Sequence, residues 1–289
     1  MRLPVQKTYK LFIGGKFPRT ESARYMQTKN SKGEFIANIS RASRKDVRDS
    51  VVAARKAFDS WAGKSAYNRG QILYRIAEVL ESRADAFAHE ISLQTGATHK
   101  AALAEVSTSV DRLVWYAGWS DKFTQIFSSI NPVASSYWNF TAPEASGVVG
   151  IAIPSDNPLL ALVSLMAPAI VSGNVCVIVA PEKYPLSAVS FAEVLVASDV
   201  PGGVVNILTG LHSELITPLA SHMDVNAVVY AGNDADLIKT LQSEAAENVK
   251  RIVVRKNLNA KNWATDAAQS PYWIQDTVEF KTAWHPVGA

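Results

Sequence analysis

A chain of 289 residues, 48% apolar and 19% charged, with fifteen Gly and thirteen Pro, is too apolar for a disordered protein and unlike a collagenous one. Its formal charge of +3, from 29 basic against 26 acidic side chains, is small and reads as interspersed, so no nucleic-acid partner is expected. A single cysteine excludes a disulfide framework and a cysteine-rich metal site. The length fits one or two domains, and MRLPVQKTYKLFIGGKF lacks the apolar segment of a signal peptide, so a cytoplasmic location is expected.

Ser43-Arg44-Lys45-Asp46 fits a capping box, after which Val47, Val51, Ala54, Phe58 and Trp61 recur on one helical face. A second helix is predicted through Ile72, Leu73, Ile76, Val79 and Leu80 and on to Phe87 and Ile91; a third runs from Lys100 to Phe123. Residues 126–143 read as a β-hairpin, with Ile126 to Val133 as one strand, a turn at 134–136 and a second strand from Tyr137 to Phe140.

From Gly147 strands and helices alternate. Strands are predicted at 148–153, 175–179, 204–208, 227–230 and 251–254, with helices at 158–171, 186–197, 214–220 and 235–246 between them. This cadence implies a Rossmann-like parallel sheet with helices on both faces and right-handed crossovers, and a ligand crevice at the carboxyl ends of the strands. The uncharged run Asn157 to Pro181 is long enough to suggest a membrane span, but Pro168 and the turn Ser172-Gly173-Asn174 divide it into a buried helix and a buried strand. Residues 257–271 have no periodicity, and Tyr272 to Val287 reads as one more strand.

No G-x-G-x-x-G, phosphate loop or G-x-S-x-G elbow occurs. Cys176 lies in an apolar strand with no neighbouring base, which makes it a core residue rather than a nucleophile. The five histidines have no metal-ligand spacing, and no metal is expected. Asp156 follows a strand end and precedes Pro158; as an acid or base it would be catalytic, but its local signature is that of a helix cap.

Several blocks then resemble the aldehyde dehydrogenase superfamily: YKLFIGGKF, NSKGEFIANISRASRKDVRDSVVAARKAFDSWA, WYAGWSDKF, GVVGIAIPSDNPLLAL, APAIVSGNVCVIVAPEKYPLSA and DVPGGVVNILTG, in continuous order from residue 9 to about 257. The resemblance implies a nucleotide-binding domain from residues 1–125 and 147–257, and an oligomerisation flap from 126–146 and 272–289. Residues 258–271 would be a linker in place of the family's catalytic domain.

The departures from the family pattern set the functional expectation. Where the family has P-W-N-F-P, whose Asn stabilises an oxyanion, this chain has Pro154-Ser155-Asp156-Asn157-Pro158, and a carboxylate there would repel the anion. The ribose-contacting Lys is Ala180, the phosphate loop is Tyr230-Ala231-Gly232-Asn233-Asp234-Ala235-Asp236, and the general-base Glu falls at Arg255. The degenerate cofactor site implied by the resemblance comprises Ile153, Pro154, Ser155, Ala180, Glu182, Gly210, Gly232 and Asn233.

No cofactor is expected, NAD(P) being the only candidate. The resemblance is to a truncated, non-catalytic member, similar to the carboxy-terminal pseudoenzyme module of the class 16 enzymes. The expected role is a subunit that assembles with a full-length aldehyde dehydrogenase, with a homodimer also open. The alternative is an NAD(P)-dependent oxidoreductase component that is active only with a partner's residues.

Overall fold

The computed structural model describes residues 7–288, so the readings of the first six residues and of Ala289 lie outside it. An antiparallel hairpin, β1 (Tyr25–Lys29) and β2 (Phe35–Ser40), comes first. It escapes a reading by hydrophobic alternation because Tyr25 and Phe35 face solvent.

The capping box forms as predicted: the Ser43 hydroxyl accepts the Asp46 N–H, and the Asp46 carboxylate accepts the Ser43 N–H, opening α1 (Arg44–Ala62). Val47, Val51, Ala54 and Trp61 are buried, and the Trp61 indole donates to the Ile170 carbonyl at 2.9 Å, tying α1 to the layer beneath.

The predicted second helix is two: α2 (Ala66–Ser82) and α3 (Ala84–Thr95). The break is at Arg83, which leaves helical geometry while its guanidinium bonds Glu193 at 2.8 Å and lies against the Phe87 ring. The third helix, α4 (His99–Trp119), stops short of Phe123, and a separate turn of helix, α5 (Phe123–Phe127), takes in Ile126. The first hairpin strand therefore shrinks to β3 (Ser129–Asn131), while the second extends to β4 (Tyr137–Ala145).

The parallel sheet comprises β5 (Val148–Ala152), β6 (Val175–Val179), β7 (Val205–Leu208), β8 (Ala227–Ala231) and β9 (Arg251–Arg255), in the order β7-β6-β5-β8-β9. The crossovers are α6 (Pro158–Val171), α7 (Leu186–Ala197), α8 (His212–Ser221) and α9 (Ala235–Ala246). Helices α1, α8 and α9 pack along one side, and α6 and α7 along the other, with α2, α3 and α4 laid over them. All residues of β5, β6, β7 and β8 are buried, which is why these strands read as unbroken apolar runs. No helix among the described residues is long and apolar enough to cross a membrane; the uncharged run divides into α6, a turn and β6.

After β9 come α10 (Ala260–Trp263), a 3₁₀ turn (Asp266–Ala268) and α11 (Tyr272–Gln275). The expected strand over 272–287 is thus corrected in its first part. Trp273 and Ile274 are adjacent and both buried, a pattern that suits a helical turn and not an alternating strand. The stretch 258–271 is held to the core at two points: Trp263 is fully buried and meets Trp273 edge to face, and Ala268 is buried. Buried Arg112 on α4 donates to the Trp263, Thr265 and Ala268 carbonyls and to the Ser164 hydroxyl.

The last strand, β10 (Val278–Pro286), pairs antiparallel with β4 over nine positions, giving a three-stranded flap in the order β10-β4-β3. Its root is fixed to the core. The Asn174 amide donates to the Thr277 carbonyl at 2.7 Å, and Arg251 pairs with Glu279.

Candidate functional site

In this strand order the connections run outward in opposite directions from between β5 and β8, so the loops after those strands flank the crevice where such sheets bind ligands. Every position of the expected cofactor site falls on a loop at this end of the sheet, but their partners are largely internal.

The loop after β5 begins with buried Ile153, whose N–H bonds the Val179 carbonyl; Pro154 and Ser155 are half-buried and Asp156 is exposed. Asp156 does not cap α6, contrary to expectation. The cap position is Asn157, held at φ 49° with no side-chain cap bond, and Pro158 has no N–H to satisfy. The next two N–H groups, of Leu159 and Leu160, donate to Oε1 of Glu105 at 2.9 and 3.2 Å. Glu105 reaches them from α4, and burial pushes its carboxyl up to about 7 against the lowering pull of the two N–H donors. Sequence reasoning missed this residue; its only signal was an acid inside an otherwise amphipathic helix face.

At the ends of β6 and β7, Ala180 is buried, and its carbonyl accepts a hydrogen bond from His212 Nε2 at 2.9 Å, which fixes the proton on that nitrogen. Exposed Glu182 accepts the His212 backbone N–H at 2.6 Å. Gly210 is buried at φ 159°, and a Cβ there would lie 2.9 Å from Leu215. His212 thus links the two loops, a role no motif announced.

At the end of β8 the crevice is closed by its own side chains. The Tyr230 ring folds back over Gly232, so that a Cβ on Gly232 would lie 2.3 Å from the hydroxyl oxygen. The Asp234 carboxylate caps α9, accepting the N–H groups of Asp236 at 3.1 Å and Leu237 at 3.0 Å. Asn233 Oδ1 accepts the Asn257 N–H at 3.0 Å.

Arg255, at the end of β9, is half-buried, ion-paired with Asp276 and stacked 4.3 Å from the Trp273 ring centroid. Its charge is therefore spent on the segment after the sheet. Cys176, the only cysteine, sits fully buried in the second position of β6, and burial pushes its thiol far above the ordinary range. The nucleophile-base geometry of covalent catalysis is not assembled by these residues.

The sheet order and the crevice define the class: a doubly wound α/β domain of the dinucleotide-binding type. Residues 17–272 match the aldehyde dehydrogenase family, and the chain belongs to that family. It is 35% identical over 256 residues to mouse cytosolic 10-formyltetrahydrofolate dehydrogenase, covering 87% of this chain and 28% of that protein. It is 32% identical over 254 residues to the putative aldehyde dehydrogenase DhaS of Bacillus subtilis strain 168, covering 86% and 50%. Among solved structures, an NAD+ complex of aldehyde dehydrogenase from Bacillus cereus aligns with TM-score 0.82 at 28% identity, covering 86% of this chain and 51% of the other. The chain spans about half the length, or less, of these relatives.

Proposed function

We propose that this protein is a non-catalytic aldehyde dehydrogenase subunit that assembles with a complete aldehyde dehydrogenase, much as a class 16 pseudoenzyme module accompanies a catalytic one. The observation that carries the reading is the flap. Strand β10 is an edge strand of nine residues, exposed at every position after Val278, and beyond Val278, whose carbonyl accepts from Arg251, its outer row of backbone groups has no partner among the described residues. Phe280 and Trp284 on it, with Tyr137 and Trp138 on β4, place four large aromatic side chains in solvent. An edge of that length and composition is a strand-addition surface.

The crevice supports the non-catalytic half of the reading. The α9 donors suited to a pyrophosphate are already used by Asp234, Tyr230 lies over the glycine that would admit it, and Ala180 has no side chain to reach a ribose. These residues do not fit NAD(P). The second reading, a component that still binds NAD(P) and works with partner residues, is favoured by the NAD+ complex of the aligned Bacillus cereus enzyme.

Size-exclusion chromatography with light scattering, on mixtures with a full-length aldehyde dehydrogenase from the same source, tests assembly. A hetero-oligomer is expected, lost on deletion of residues 279–289; that cut leaves Ile274 and Val278 in the core. A chain that stays monomeric beside full-length partners would sink the subunit reading. Calorimetric NAD+ titration with a dissociation constant in the micromolar range would favour the second.

A further inference from the structure

The cationic residues are not interspersed as the sequence first reads. Residues 1–70 hold sixteen of the twenty-nine Lys and Arg but only five of the twenty-six Asp and Glu. Part of this charge converges on a groove between α1 and the end of α8, away from the crevice loops, enclosing about 480 Å³. Arg44, Lys45 and Arg48 line it from α1, with Pro218, Ser221 and His222 opposite, and none of its lining side chains is acidic.

These cations do not serve the helix that carries them. Arg44 and Lys45 occupy the first turn of α1 and Arg48 the next, where the helix dipole disfavours positive charge. No carboxylate among the described residues lies within ion-pair distance of Arg44. Lys45 pairs with Glu21 and Arg48 with Asp49, both at exposed positions where a pair is weak and readily exchanged. On the facing wall, His222 Nδ1 accepts the Asp224 N–H at 3.2 Å, so the ring proton sits on Nε2. Burial, with the nearby Lys250 charge, holds the ring's pKa below its ordinary value despite the opposing pull of Asp224, leaving a neutral donor.

We propose that this groove is a binding site for a small phosphomonoester dianion, with Arg44, Lys45 and Arg48 supplying the charge and Ser221 and His222 supplying neutral donors. Three cations and two hydroxyl or imidazole donors suit a group with two negative charges and three acceptor oxygens. The volume suits a small ligand, and Glu21 and Asp49 at the exposed ends of the ion pairs interrupt the basic surface that a polynucleotide or a membrane would track.

The test is calorimetric titration of the full chain with inorganic phosphate and with phenyl phosphate. Saturable one-to-one binding is expected, tightening as pH rises through the second phosphate ionisation. The double variant R44Q/R48Q should weaken it at least tenfold, whereas K56Q, on α1 outside the groove, should leave it unchanged. Unliganded R44Q/R48Q should melt at the same temperature as the parent or higher; a lower melting temperature would assign the cations to folding and overturn the proposal. So would the absence of saturable binding, equal affinity in the double variant, or retention on duplex DNA or anionic vesicles that inorganic phosphate does not compete away.

Discussion

At the scale of single residues, Glu105 has the least expected role. A carboxylate buried beneath the helical layer takes the two leading N–H groups of α6, in place of the local cap that Asp156 was read to provide. Because its folded-state value of about 7 lies above the ordinary 4.5, the folded protein holds this proton more tightly than the unfolded chain. The contribution is therefore fully present below about pH 4.5 and is lost as pH rises through 7, an overall change on the order of 3 kcal/mol. Glu105→Gln keeps an acceptor for the two N–H groups and removes the titration. Urea unfolding at pH 5 and pH 8 should show the parent losing stability with rising pH and the variant nearly level across the interval. A parent with the same midpoint shift as the variant would place the titrating group elsewhere.

At the scale of elements, α6, β6, α7 and α9 were legible to the residue, the first three because largely apolar runs bounded by turns leave little choice of boundary, and α9 because Asp234 caps an amphipathic stretch. The capping box of α1 was equally legible, since both of its bonds are local. What was hidden is fixed by distant partners. Arg83 ends α2 through Glu193, over a hundred positions away in sequence, and Trp263 and Trp273 fold into helical turns because each fills the other's packing surface. In the site, Ala180, Gly232 and Arg255 could be placed by resemblance, but the His212, Tyr230 and Asp276 side chains that engage them carry no local signature.

Arg112 holds these late elements in place. Its guanidinium, whose pKa burial lowers, donates through its two terminal nitrogens to three carbonyls of the segment after β9 and to Ser164 of α6, while its Nε has no partner among the described residues. Arg112→Met fills similar space but leaves the buried Trp263 and Ala268 carbonyls without donors, the Thr265 carbonyl keeping the Ala268 N–H, at a cost on the order of 1–3 kcal/mol for each left unpaired. The chain should keep its sheet, as judged by far-ultraviolet circular dichroism, while limited proteolysis cuts within residues 258–271 at a protease level that leaves the parent intact. Equal resistance of parent and variant would show that Trp263 and Trp273 anchor the segment without the guanidinium.

At the scale of the whole molecule, one hydrophobic core runs from Leu11 in the amino-terminal segment through the helical layer and the sheet to Val278, so these parts share a single cooperative unit. The flap stands outside it. Beyond Val278 its strand is exposed throughout, and β3 contributes only three residues of pairing on the far side. Local opening free energy should follow that division, since exposed backbone bonds with few buried contacts open without unfolding the core. In native-state hydrogen exchange, amides of β5 and β6 should exchange only by global unfolding, while those of residues 279–285 exchange orders of magnitude faster. Adding the full-length partner of the proposed assembly should slow the β10 amides that point outward and leave β5 unchanged, because strand addition pairs only the free row of the edge. Protection spread evenly over the flap in the isolated chain would mean that the edge is already covered, and the surface assigned to the partner would have to be sought elsewhere.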